Sequence, residues 1–124
     1  MSLVGQNGKA TLIAQGEIWW ADFGEPRGSA PGYVRPVVVV QGDNFNQSRI
    51  ATILCVPLTT NLKWAASPGN LLLKSHQTGL DKDSVANASQ LTSLDRSELM
   101  ERVGKLPSRL VAGIHEGIDI VLGR

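Results

Sequence analysis

Apolar residues along this chain come first in short runs suited to strands and then, at the end, at helical spacing. Glu17 to Phe23 mixes β-branched and aromatic residues with polar ones, the pattern of a strand with one buried face. Trp19 and Trp20 then point to opposite faces. Gly24 to Gly32 is dense in glycine and proline and reads as a long loop. Strands follow over Pro36 to Gln41 and Ala51 to Val56, and Asn70 to Lys74 supplies a fourth short run. Ser84 to Ala88 and Leu99 to Leu106 are weaker strand candidates. Strands this closely spaced predict a small antiparallel barrel. The tail differs: Leu110, Val111, Ile114, Ile118, Val121 and Leu122 recur at helical spacing after Pro107-Ser108, with Gly123 where a C-terminal cap belongs. One amphipathic C-terminal helix of about four turns is expected. Gly113 and Gly117 weaken it in isolation, which points to close packing against the barrel or another subunit.

The loop after the first strand delivers one arginine to the mouth of the second. Pro36 pushes the preceding residue towards extended geometry and so holds Arg35 extended above a bed of glycines, an arrangement suited to an anion. The third strand runs into Pro57-Leu58-Thr59-Thr60-Asn61, which places hydroxyl and amide groups past its end. If the polar stretch Gly42 to Arg49 closes a hairpin with Gln41 opposite Ile50, Arg35 faces Val56. Thr59 then lies about 10 Å further along at the usual strand rise. On that geometry the two side chains could share one pocket.

Composition narrows the function classes. The 124 residues fit one domain able to bury a core without a metal or disulfide staple. Residues 1–15 carry no periodicity and read as a mobile leader, some of which an expression vector could supply. The domain is expected over 16–124. No apolar run reaches the ~20 residues of a membrane span, and the N-terminus lacks a signal-peptide pattern, so a cytoplasmic address is expected. Twelve Lys and Arg against eleven Asp and Glu leave a net charge of +1, too small for a global field that would attract nucleic acid. Any such contact must be local, and Arg27, Arg35, Arg49 and Lys63 all fall on or beside the loops just described. The single cysteine, Cys55, sits mid-strand and reads as a buried small hydrophobe. His76 and His115 read as surface residues. No metal-ligand spacing or phosphate-binding glycine motif appears, so neither a metal nor a cofactor is expected.

With these residues in view, the chain resembles the MazF/PemK/Kid family of toxin endoribonucleases from Gly16 to about Gly123. The resemblance rests on Gly16-Glu17-Ile18-Trp19, Asp22-Phe23, Gly28-Ser29 with Arg35-Pro36-Val37 seven residues on, Val56-Pro57-Leu58-Thr59-Thr60, Gln90 and Ser93-Leu94-Asp95-Arg96. It implies a mainly β fold with α, an SH3-like (CcdB/MazF-type) barrel with a C-terminal helix. It also implies a homodimer that cleaves single-stranded RNA at a short sequence without a metal, held in check by a cognate antitoxin. The family's catalytic arginine and threonine fall on Arg35 and Thr59. Loop Gly24 to Tyr33 would cover the RNA, and Arg27, Gly28, Ser29, Thr60, Asn61 and Gln90 are the candidate RNA contacts. The antitoxin tail is expected to be disordered and acidic, since it must displace RNA from a pocket centred on Arg35.

Two departures bear on activity. Many relatives carry a glutamate where this chain has Ala30 and an acidic residue where it has Ser89, so two carboxylates that could act as base or read an amino group are missing. The Arg-x-Asp group of one branch is replaced by Asn87-Ala88-Ser89. The alternatives are a CcdB-like toxin that poisons a protein such as DNA gyrase, which has no need of a phosphate pocket, and a catalytically inactive relative.

Overall fold

The computed structural model describes residues 12–25, 28–29 and 33–124. Seven strands, β1 (Glu17–Asp22), β2 (Val34–Val39), β3 (Thr52–Thr59), β4 (Leu71–Leu73), β5 (Ser84–Ala86), β6 (Thr92–Asp95) and β7 (Leu99–Lys105), form one antiparallel sheet. The path runs β4-β5-β3-β2-β1-β7, with β6 paired to the first half of β3. Three helices, α1 (Asp43–Asn46), α2 (Ser75–Thr78) and α3 (Ser108–Val121), fill the connections and the C-terminus. The curled sheet with a C-terminal helix is the expected architecture, and the strands expected weakly at 84–88 and 99–106 are β5 and β7.

Both faces of the sheet are covered, which explains the unbroken run Val37 to Val40. Alternate residues of β2 feed different cores. Val38 and Val40 join Ile18, Val56, Leu58, Val111 and Ile114 beneath α3, whereas Val37 and Val39 join Trp19, Ala21, Ile53, Cys55 and Leu94 inside the curl. Cys55 is fully buried, and burial pushes its thiol up to about 12, so it is held un-ionised. Strand β6 escaped the sequence pattern because Thr-Ser-Leu-Asp contributes only Leu94 to a core.

Three expectations are corrected. The β2–β3 register is Val37↔Pro57, Val38↔Val56 and Val39↔Cys55, not the one implied by Gln41 opposite Ile50. The connection is not a tight turn: α1 occupies it, and Val40 N–H and Gln41 N–H both donate to Leu54 O (3.0 and 3.3 Å), an irregularity that ends the ladder early. Second, β3 continues through Pro57 to Thr59. The N and C=O of one strand residue face the same side, and Pro57 O accepts Asn87 N–H at 3.0 Å. Its missing donor therefore falls at the gap between β5 and β6, outside the β2 ladder. Third, packing begins before Gly16. Ile13 is buried in the inner core, Ala14 N–H donates to Glu17 Oε1 (2.9 Å) and Gln15 N–H donates to Asp43 Oδ1 (2.7 Å). The leader boundary drawn at residue 15 is therefore too late, and residues 1–11 lie outside the described residues.

Backbone approaches at glycine close the fold where no strands pair. A Cβ on Gly104 of β7 would lie 2.6 Å from Thr78 O at the end of α2, so α2 bridges from β4 to the β7 edge. Gly117 of α3 meets the Gly69 carbonyl so closely that a methyl group has no room, and Gly113 faces Leu71. The helix glycines thus pack against the barrel of their own chain. α3 ends as its sequence predicts: Gly123 is left-handed (φ 76), with Gly123 N–H to Ile120 O (3.0 Å) and Arg124 N–H to Asp119 O (2.8 Å).

Candidate active site

The corrected register has a direct consequence at the open end of the β2–β3 ladder. Continuing it two residues beyond Val37↔Pro57 brings Arg35 opposite Thr59, rather than about 10 Å away as the tight-turn pairing required. On its other side Arg35 faces Ala21 of β1, and Thr59 faces Val85 of β5. Both side chains are half-buried, and both line two cavities.

The first cavity, about 370 Å³, begins where the core beneath α3 runs out. Trp20, Pro36 and Leu58 extend the faces of Ile18, Val38 and Val56, and Thr60, Asp81 and Lys82 supply its polar groups. The loop carrying Asp81 and Lys82 is anchored by Asp83, which accepts Ser75 N–H at 2.8 Å and pairs with Lys74 at 3.5 Å. Those contacts, the Ser75 hydrogen bond foremost, hold the Asp83 carboxyl below its usual range.

The second cavity, about 630 Å³, is lined by side-chain amides and hydroxyls: Ser29, Asn61, Ser67, Asn70, Asn87, Ser89 and Gln90, with Trp64 at its wall. Arg35 is the one charged side chain among its described lining residues, which suits the cavity to an anionic ligand. Asn70 ties two walls together, donating through Nδ2 to Trp64 O (2.9 Å) while its Oδ1 accepts Ala88 N–H (2.9 Å). Gln90 Nε2 donates to Ser29 O at 3.2 Å, joining the 3₁₀ turn Ala88–Gln90 to the β1–β2 loop. The stem of that loop is pinned by Phe23 N–H to Tyr33 O (2.8 Å), Tyr33 N–H to Gly24 O (2.5 Å) and Gly24 N–H to Asp22 Oδ1 (2.8 Å). Tyr33 takes a left-handed φ of 61° to make this closure, an uncommon conformation for a bulky residue.

Thr59 Oγ1 accepts Asn61 N–H at 3.2 Å, which leaves the hydroxyl proton available for donation into the cavity. Arg35, Thr59, Ser29, Asn61 and Gln90 therefore converge on one wall system, Thr60 lines the first cavity, and Gly28 is an exposed left-handed turn residue (φ 60) in the loop. Arg27 and Ala30 lie outside the described residues. Trp64, Asn70, Asp81 and Lys82 belong to no motif, and the available signal was the tryptophan at 64 standing outside any strand pattern. His76 is exposed on α2, and His115 Nε2 lies 2.9 Å from Val40 O at the far end of the sheet. Neither lines either cavity. Among the described residues no cluster of His, Cys, Asp and Glu is placed to hold a metal ion.

Residues 14–122 match the family described as PemK-like, MazF-like toxin of type II toxin-antitoxin system. The chain belongs to this family. It is 41% identical over 111 residues to Endoribonuclease MazF2 of Mycobacterium bovis, covering 90% of this chain and 97% of that one, and 30% identical over 112 residues to Endoribonuclease MazF of Staphylococcus saprophyticus, covering 90% and 92%. Among solved structures, MazF from Deinococcus radiodurans superposes with a TM-score of 0.77 at 24% identity, covering 92% of this chain and 99% of that one. An endoribonuclease in complex with its cognate antitoxin from a Mycobacterial species gives 0.72 at 20% identity, covering 90% and 95%. At these identities the superpositions establish the MazF fold. The motif positions Arg35 and Thr59 of this MazF-like toxin both line the two cavities described above.

Proposed function

We propose that this chain cleaves single-stranded RNA without a metal by driving the substrate's own 2′-hydroxyl onto the adjacent phosphorus, with the reacting phosphate held between Arg35 and Thr59. The chain is a MazF-type toxin endoribonuclease of a toxin–antitoxin system. That reading rests on its family and on curated relatives named as endoribonucleases, which favour cleavage over the poisoning of a protein target.

The supporting observation is the Arg35–Thr59 juxtaposition at the wall shared by two cavities. A phosphodiester links two nucleosides, so a phosphate at that wall sends one nucleoside towards each cavity. Attack forms the bond from O2′ to phosphorus and breaks the bond to O5′; the 2′-hydroxyl proton leaves to solvent and the departing O5′ takes one from solvent, giving 2′,3′-cyclic phosphate and 5′-hydroxyl ends. Negative charge grows on the non-bridging oxygens, where the planar fork of Arg35 stabilises it in a site partly shielded from water. Thr59, its oxygen already accepting from Asn61, orients the phosphate or the 2′-hydroxyl by donation rather than serving as a base. Gly28, Ser29 and Arg27 of the loop, with Thr60, Asn61 and Gln90, hold the flanking strand.

The remaining parts of the reading follow from the toxin role. The free toxin is a homodimer in the cytoplasm, and a cognate antitoxin occupies the Arg35 groove with a disordered, acidic tail. Among the described residues no helix is long and apolar enough to cross a membrane. The test is incubation of a long unstructured RNA with the protein in excess chelator, followed by analysis of both new ends. Cyclic phosphate and 5′-hydroxyl ends at a short recurring sequence are expected. Strict magnesium dependence, 5′-phosphate ends or no cleavage would overturn the reading, the last in favour of an inactive relative.

A further inference from the structure

The three tryptophans have different fates. Trp19 is buried, with its indole N–H on Glu17 Oε1 at 3.0 Å, and Trp20 extends a core face into the first cavity. Trp64 does neither. It is 44% exposed, forms a wall of the cavity that also holds Arg35 and Thr59, and carries Lys63 Nζ 5.5 Å from its ring centroid.

An exposed indole on a loose loop would be unremarkable, but this one stands on a braced segment. The 3₁₀ turn Leu62–Ala66 is capped by Asn61, and Trp64 O receives both Asn70 Nδ2 (2.9 Å) and Ser67 N–H (3.1 Å). The segment's far end, Gly69, is seated on the Gly117 backbone of α3, an approach that only two glycines permit. The indole thus stands on a braced backbone at the wall of a cavity lined otherwise by amides, hydroxyls, Pro68 and Arg35, with an ammonium over one ring face.

We propose that Trp64 is a stacking platform for one nucleobase of the RNA substrate. This rests on the endoribonuclease reading above: a phosphate at Arg35 and Thr59 sends one neighbouring nucleoside into this cavity, whose volume of about 630 Å³ admits a base with room for its sugar. The base stacks on the ring face opposite Lys63. The ammonium strengthens the indole's hold on the strand by meeting the next phosphate. Stacking accepts any base, so Trp64 contributes affinity and position, while the surrounding amides discriminate.

The test uses the cleavage sequence mapped on a long RNA and then made as a short oligonucleotide, in cleavable form and as an uncleavable 2′-O-methyl form. Trp64→Ala is expected to raise KM and weaken binding of the 2′-O-methyl strand roughly tenfold, the scale of one lost base stack, with kcat within about twofold of the parent. Trp64→Phe should recover most of the loss, and the melting temperature should be unchanged in both. Stepping an abasic site along the oligonucleotide should reveal one position whose removal costs as much as Trp64→Ala and adds nothing to it. Unchanged KM and binding in Trp64→Ala, or additivity at every position, would overturn the proposal. So would a loss confined to binding of an acidic antitoxin peptide. If the parent protein cuts no RNA, the enzymatic reading fails, and binding of a mixed-sequence 2′-O-methyl strand by the parent and Trp64→Ala proteins decides for or against the platform, equal binding overturning it.

Discussion

The two ends of the β2–β3 ladder each hold an arginine, and the two are used in opposite ways. At the closed end Arg96 is buried, donating through Nε to Ile50 O (2.7 Å) and through Nη2 to Phe45 O (3.2 Å) and Ser48 O (3.4 Å), so its guanidinium stitches the α1 connection to the barrel. Around it the amides of Gln41 and Asn46 bond to each other and to neighbouring carbonyls, and among the described residues no buried side-chain polar atom lacks a partner. At the open end Arg35 lines two cavities, among hydroxyls and amides half in contact with solvent. A guanidinium bonded to three carbonyls of its own chain is a structural cross-link. One set at a cavity wall can meet a phosphate.

Breaking the open end should have the largest effect. Arg35→Ala is expected to lower kcat by about 10²–10³-fold or more, the usual scale for losing a group aimed at developing charge, with the melting temperature unchanged. Arg35→Lys should restore little, because an ammonium cannot reproduce the fork. Thr59→Ala should cost less than Arg35→Ala while still reducing turnover clearly. Single-turnover assays with thermal melts check all three; an Arg35→Ala protein that cuts at the parental rate removes the assigned chemistry.

The closed end should fail in the other sense. Arg96→Ala deletes charge-assisted bonds to three carbonyls and is expected to destabilise the fold by about 2–3 kcal/mol, while kcat per folded molecule stays near parental. Denaturant melts measure the first part and active-site titration the second. A stable but inactive Arg96→Ala would erase the distinction between the two ends.

Acid sharpens the same contrast. Glu17 lies near the closed end, where burial raises its pKa, but Ala14 N–H, the Trp19 indole and Arg102 (2.8 Å) outweigh burial and hold the carboxyl below its ordinary 4.5. Asp43 is likewise held below 3.8, chiefly by Gln15 N–H and then Asn46. A carboxyl depressed by folding stabilises the native state fully above its unfolded pKa, and that contribution fades as pH falls through the folded value. Stability should therefore drop as pH falls below about 4.5. Glu17→Gln should flatten that decline; an unchanged pH profile of the melting temperature in Glu17→Gln would remove Glu17 from the account.

The histidines give the smallest effects. His76→Ala should be silent, and His115→Ala should lose about 1 kcal/mol of stability with its bond to Val40 O while leaving cleavage unchanged. Either variant as inactive as Arg35→Ala in the RNA assay would replace the arginine mechanism with a histidine acid–base pair.

Much of this molecule was legible in its residues one at a time. The alternation around Trp19, the proline that starts β2, the Val37–Val40 run and the helical spacing from Leu110 to Leu122 each report a local preference, and local preferences survive folding when the core agrees with them. Arg35 is legible in the same way, beside the proline that starts β2, whereas Thr59 reads as lying past a strand ending at Val56 and is in fact the last residue of β3. What tertiary structure decided was register and reach. No residue between Gly42 and Arg49 announces that α1 and the Leu54 irregularity will shift the hairpin by three residues, yet that shift is what places Arg35 across from Thr59. Nor does the sequence near Trp64 show that a glycine 53 positions away, Gly117, will seat the loop that presents it. Pairing and close backbone approach depend on residues distant in the chain, and such long-range contacts leave no periodic trace in either partner alone.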